Sequence, residues 1–194
     1  FLRADPDVIM IGEVRDEETA RIAIEASLTG HLVLSTLHTN SAPESIARLL
    51  EIGLEPFNFS DSLLAILAQR LVRRLCKACV QSRPATTDEL VALATQYLEG
   101  VQHVDDRDIA AQIERWTAEH GQTDPRGGRY LRSFIKGGAG CKVCEGKGLK
   151  GRLGIYELML NDEEIRHHIR RRASATEIRE TALKAGMKTL RQDG

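Results

Sequence analysis

The sequence predicts an α/β chain that carries a small four-cysteine metal subdomain and ends in helices. Three observations predict it. Short apolar runs alternate with amphipathic helical patterns near the start, and all four cysteines fall in two Cys-x-x-Cys pairs. A content of 42% hydrophobic and 28% charged residues suits a globular chain of 194 residues, enough to bury a core in one or two domains.

Val8 to Ile11 is a continuous apolar run that reads as a strand covered on both faces in a parallel sheet. Asp16 follows as a helix cap, with Glu17 and Glu18 in the electropositive first turn. Ala20, Ala23, Ile24, Ser27 and Leu28 form the buried stripe of that helix, which Gly30 stops. "HLVLST" (His31 to Thr36) is the next strand. Ser41 and Glu44 have capping-box spacing and start a helix running to Gly53. Strand, helix, strand of these lengths is a βαβ unit, so the two strands are expected to be parallel.

From Asp61 to Cys76 the spacing predicts another helix, with Leu64, Leu67, Ala68, Leu71 and Leu75 on one face. Arg70, Arg73, Arg74 and Lys77 fall on the opposite face, either as a solvated stripe or as contacts to phosphate or a neighbouring subunit. Between about Gln81 and Lys136 two amphipathic helices are expected, roughly 87–98 and 105–119, with "GQTDPRGG" as a loop. Tyr97 and Trp116 read as members of a small core there. "RLGIYELMLN" (Arg152 to Asn161) is a strand, and two helices follow it, the second capped by Ser174 and Glu177 and ended by Gly186.

The formal net charge of −1 gives no whole-chain case for binding nucleic acid or an acidic membrane. No apolar stretch approaches the roughly 18 residues of a membrane-spanning helix, and the start lacks a signal-peptide layout. A cytoplasmic location is therefore expected. Phe1 is not an initiator Met and "RQDG" directly follows a helical pattern, so the chain is expected to be a fragment cut at both ends.

Cys76, Cys79, Cys141 and Cys144 can bring four thiolates to one tetrahedral point, the closed arrangement of a structural zinc site. Two disulfides or a redox pair are the competing readings, the first disfavoured in a reducing compartment.

The chemistry-bearing residues of the first segment gather past the strand ends, where open α/β sheets bind ligands. Gly12 and Glu13 follow the first strand. His38 follows the second, and the hydroxyls of Ser35, Thr36 and Thr39 converge on the same edge. A strand-end carboxylate is where nucleotide hydrolases place the group that orients or deprotonates an attacking water. His31, at the start of its strand, lies at the opposite end and reads as structural. None of the sixteen glycines builds a Gly-x-x-x-x-Gly-Lys-Ser/Thr phosphate loop: "GCKVCEGK" (Gly140 to Lys147) has one residue too many between its glycines.

"LRADPDVIMIGEVRDEETA" resembles the Walker B segment of the secretion ATPases, the motors of type II secretion and type IV pilus assembly. "TGHLVLSTLHTNSA" resembles their His box. "LAQRLVRRLC", the paired cysteines, "GRLGIYELM" and "GMKTLRQDG" match that family in order, leaving the middle uncovered.

The resemblance implies a RecA-like motor core over 1–75, holding its Walker B segment and His box but not the phosphate loop, which would lie upstream. It further implies a zinc subdomain over 76–154 with a helical insert at 81–136, and a C-terminal strand and helical segment over 155–194. It implies a homo-hexamer that hydrolyses ATP with Mg²⁺ and drives an inner-membrane platform protein from the cytoplasmic face. By motif, Glu13 would be the catalytic carboxylate and His38 a γ-phosphate contact, with Gly12, Thr36 and Arg70 as candidate nucleotide contacts; the fragment by itself would be inactive. The cysteine pairs stand sixty-one residues apart, Val80 to Gly140, farther than in the type II members, so the branch stays open. The alternative is a zinc-containing module that binds nucleic acid or protein without catalysis. With 4% aromatic residues the chain has few side chains for stacking on bases.

Overall fold

The computed structural model describes residues 6–99 and 104–194, so the Leu2–Asp5 part of the Walker B-like segment lies outside the described residues. The chain divides into two compact units, one ending its first segment at Gln69 and including Tyr156–Asp193, the other Arg70–Ile155. The last segment, distinct in the sequence reading, thus folds with the first.

In the first unit, β1 (Val8–Ile11) and β2 (Leu32–Ser35) pair in parallel with Val8 opposite Leu32 and Ile11 opposite Ser35. The crossover is α1 (Glu17–Leu28), whose first turn is closed by the Asp16 carboxylate accepting from Thr19 N at 2.8 Å. α2 (Ala42–Ile52) begins at the Ser41 cap and ends at Gly53, which is left-handed at φ 116°. That conformation calls for glycine, whereas the Glu17 carboxyl group, 2.9 Å from where a Cβ would stand, is a flexible side-chain end that could shift. α3 (Pro56–Ser62) follows, with Pro56 at its first position and the Glu55 carboxylate accepting from Phe57 N and Asn58 N.

Three corrections to the sequence reading arise in this unit. Ile9 is buried and Ile11 packs against the core, but Val8 is 52% and Met10 68% exposed. β1 is therefore covered on one face, because successive strand side chains point to opposite sides and the helices pack on one of them. Leu28, expected in the α1 stripe, is exposed while Ala26 is buried.

The third correction is larger: residues 61–76 do not form a helix. α3 ends at Ser62, and Ala65–Leu75 is the long strand β3, hydrogen-bonded to β8 (Leu149–Leu160). Ile66 and Ala68 turn inward while Leu67 and Leu71 point out. A strand apolar on both faces shows no period of two, and its leucines matched the helical template by coincidence. Pairing with a partner distant in sequence then overrode local propensity. The one-sided arginine stripe disappears with the helix: Arg70 and Arg74 share one strand face and Arg73 the other.

α6 (Glu163–Arg170), α7 (Ala175–Lys184) and the short α8 (Leu190–Asp193) complete this unit. Its core is Ile46 and Leu50 from α2, Phe59 from α3, Met159 from β8, Ile165 and Ile169 from α6, and Ile178 and Ala182 from α7. Truncating a fully buried isoleucine such as Ile46 to alanine costs about 2–5 kcal/mol.

In the second unit, β4 (Gln81–Pro84) pairs antiparallel with β7 (Arg132–Ile135), framing α4 (Thr87–Tyr97) and α5 (Asp106–His120), within about a residue of the expected bounds. Tyr97 and Trp116 meet edge to face, ring centroids 5.1 Å apart, as expected of a small core. "GQTDPRGG" is a tight hairpin rather than a loop: β5 (Gln122–Thr123) pairs with β6 (Arg129–Tyr130), and the Asp124 carboxylate accepts from Arg126 N and Gly128 N. Among the described residues no helix is long and apolar enough to cross a membrane.

Candidate functional site

The parallel register sets the ends of β1 and β2 side by side, and the pairing continues beyond both strands. Thr36 Oγ1 donates to Gly12 O at 2.6 Å, and Val14 N donates to Thr36 O at 3.0 Å. Glu13 is thereby held between two fixed peptide groups at the sheet edge. Its Oε1 lies 3.1 Å from His38 Nε2 and its Oε2 2.5 Å from Arg15 Nη2.

The hydrogen bond from Arg15 holds the Glu13 carboxyl below its usual range, partial desolvation opposes it, and charge on Arg15 and His38 adds to the lowering. Glu13 in turn raises the Arg15 guanidinium. The carboxylate side chain is 20% exposed, whereas His38 is 84% and Arg15 75% exposed, so the cations form the open rim of a sheltered anion. Gly12 has neither a left-handed φ nor a crowded Cβ direction, so nothing in the packing calls for glycine.

The structure therefore brings together Gly12, Glu13, Thr36 and His38, as the sequence predicted. Arg70 was singled out by a helical stripe that does not exist; it lies exposed on β3, in the second unit. Arg15 was missed, although two residues past Glu13 on an extended segment puts it on the same side. His31 sits at the far end of β2, its Nδ1 3.0 Å from Ala26 O at the close of α1, a structural role as expected.

The four cysteines form a second cluster, contained in the second unit. All four Sγ atoms lie within 4.8 Å of one another, with Cys76–Cys141 at 3.9 Å and Cys79–Cys144 and Cys141–Cys144 at 3.8 Å. A tetrahedral site with Zn–S of about 2.3 Å needs sulfurs about 3.8 Å apart, so the donor set fits such an ion. Disulfides are excluded here, since a bonded pair would stand about 2.05 Å apart.

Backbone turns shape the cluster. Val80 N donates to Cys76 O at 2.8 Å, and Gly146 N to Cys141 O at 3.1 Å. Cys141 N and Gly148 N donate to Cys144 Sγ at 3.2 and 3.1 Å. These amides draw the Cys144 thiol down to about 6, whereas desolvation and its sulfur neighbours push Cys79 up to about 12. Gly137 is required by close approach, because a Cβ there would collide with the Cys79 carbonyl oxygen.

The family model for the Type II/IV secretion system protein matches residues 1–194. The chain belongs to this family. It is 46% identical, over its whole length, to the type IV pilus assembly ATPase PilB of Thermus thermophilus, of which it covers 18%. It is 44% identical, again over its whole length, to the type II secretion system protein E of Pseudomonas aeruginosa, covering 32%. The chain thus spans about a fifth to a third of these curated relatives. Among solved structures, the pilus retraction motor PilT with bound ADP aligns with 99% of this chain and 35% of that one, at a TM-score of 0.53 and 24% identity. That likeness establishes the shared α/β fold of the secretion-family chain.

Proposed function

We propose that the full-length protein hydrolyses ATP to power assembly of a pilus or of a secretion pseudopilus, and that Glu13 is its catalytic carboxylate. The observation that carries this reading is the Glu13–His38–Arg15 cluster at the open edge of a parallel strand pair. Family membership supports the reaction class, since relatives of this chain are named as pilus assembly ATPases.

Each carboxylate oxygen has two lone pairs, so with Arg15 and His38 taking one each, Glu13 retains acceptor capacity toward a water. Its lowered pKa holds it as the anion, suited to orienting that water or accepting its proton. His38 and Arg15 add positive charge at the rim, suited to an anionic phosphate approaching the edge. Gly12, free of any packing demand, leaves room for close approach, and the exposed Thr36 lines the same edge. Bound with ATP, Mg²⁺ would neutralise phosphate charge.

The cysteine cluster would hold Zn²⁺ as a structural ion, its four sulfurs leaving no open coordination position for substrate. The working assembly would be a homo-hexamer at the cytoplasmic face of the inner membrane, engaging platform proteins of the secretion or pilus machinery.

The test is Glu13→Gln in the full-length protein. ATP turnover should fall by about 10²–10⁴-fold with nucleotide binding retained, because the change removes charge while keeping size. Wild-type turnover preserved in the variant would refute the assignment. A wild-type protein that binds no nucleotide but binds single-stranded nucleic acid would favour the non-catalytic module.

A further inference from the structure

Along the inward face of β8, Ile155 and Met159 flank Glu157, which is 1% exposed. A carboxyl group buried among apolar neighbours is costly unless its oxygens accept hydrogen bonds. Here both do. Oε1 accepts from Ala42 N at 2.7 Å, and Oε2 accepts from Leu190 N at 3.3 Å. Ala42 is the first residue of α2, directly after the Ser41 cap, and Leu190 is the first residue of α8. Glu157 therefore fastens the starts of two helices to the middle of a strand.

The His38 loop ends at that fastening. From Thr36 to Asn40 the backbone has no regular structure, and its ties toward α2 include Thr39 Oγ1 with Ser45 Oγ at 2.6 Å, Thr39 Oγ1 to Ser41 O at 3.4 Å, and Asn40 N to Glu44 Oε2 at 3.2 Å. Such bonds carry the loop along with α2. The bond from Ala42 N to Glu157 ties the first residue of α2, four residues past His38, to β8. We infer that Glu157 is a positioning residue for the reaction: its carboxylate sets the His38 loop at hydrogen-bonding distance from Glu13. The inference rests on the ATPase reading, and it gives the C-terminal segment a part in a site to which it contributes no contacting side chain.

Glutamine at 157 has the right size but one acceptor oxygen in place of two, so one of the two amides must face an NH₂ group. Aspartate keeps both oxygens but falls one methylene short. In the full-length protein, both Glu157→Gln and Glu157→Asp should lower kcat by about 10–100-fold, the scale of a misplacement of about 1 Å, with KM for ATP changed by less than about threefold. Amide hydrogen exchange should accelerate over residues 37–42 and stay at wild-type rates in α6 and α7, which separates loop release from general unfolding. Added to a His38→Ala background, Glu157→Gln should cost little further turnover, because both changes remove one contact.

Wild-type kcat in both variants, while Glu13→Gln is inactive, would overturn the Glu157 assignment and leave the ATPase reading standing. Unchanged exchange over 37–42, or penalties that multiply fully with His38→Ala, would overturn it as well. Absence of ATP turnover in the wild-type protein would instead overturn the ATPase reading and, with it, any catalytic part for Glu157.

Discussion

Glu13 Oε1 and His38 Nε2 stand 3.1 Å apart, so the residue after one strand and the loop after the next meet at a single point. The two strands bring them to the same edge of the sheet. Their meeting depends on the parallel register, and the Thr36–Gly12 bond locks that register at its last step. Arg15 closes the other side of the carboxylate.

Arg15→Ala should shift the acidic limb of the pH–rate profile to higher pH. Arg15 is the largest influence lowering Glu13, and without it the carboxyl rises toward its ordinary 4.5 and is protonated at a higher pH. Because Arg15 is three-quarters exposed, the shift should shrink as salt is added. A profile in full-length Arg15→Ala that superimposes on wild type at low ionic strength would show that Glu13 ionisation does not limit turnover.

Cys141→Ser should weaken metal binding by more than about 100-fold, the upper end of what losing an outer-shell partner costs, and should lower Tm, since the binding energy of a structural ion is folding energy. Metal content by elemental analysis and melting before and after chelation check both. Binding displaces thiol protons, so metal retention should fall as pH drops. Equal metal content and Tm in variant and wild type would rule out a metal-bearing cluster.

Glu177 should make α7 sensitive to acid. Its carboxylate accepts from Ser174 N, completing the capping box, and pairs with Arg171; together these hold it down to about 2 from an ordinary 4.5. The folded value lies below the unfolded one, so the unfolded chain takes up the proton first. The contribution is complete above about pH 4.5 and is lost as pH falls toward 2. Glu177→Gln should lower Tm by a few degrees at pH 7 and flatten the dependence between pH 4.5 and 2. Thermal melts across that range measure it, and identical slopes for both proteins would show that the cap is not coupled to folding.

Much of the candidate site was legible because its signals are local. A short apolar run followed by Gly12 and Glu13, a cap at Asp16 and the capping spacings at Ser41 and Ser174 each act within a few residues. Each Cys-x-x-Cys pair presents two sulfurs from its own local turn, so two pairs can offer four to one point. Arg15 was within reach of the same reasoning, as a neighbour on the same side of an extended segment.

The rest depends on partners that are distant in sequence. Whether residues 65–75 are helix or strand was decided by β8, whose edge offers backbone hydrogen bonds that a helix would forgo. Whether β1 is covered on one face or two was decided by where the helices pack. Nothing near Glu157 in the sequence marks it as buried; its position became intelligible when Ala42 N and Leu190 N were found at its two oxygens. The sequence by itself determined which residues could do chemistry and which turns could form, because propensity, capping and metal-ligand spacing are short-range. The tertiary structure alone decided which strand pairs with which and which carboxylate is buried, since both follow from surfaces brought together from opposite ends of the chain.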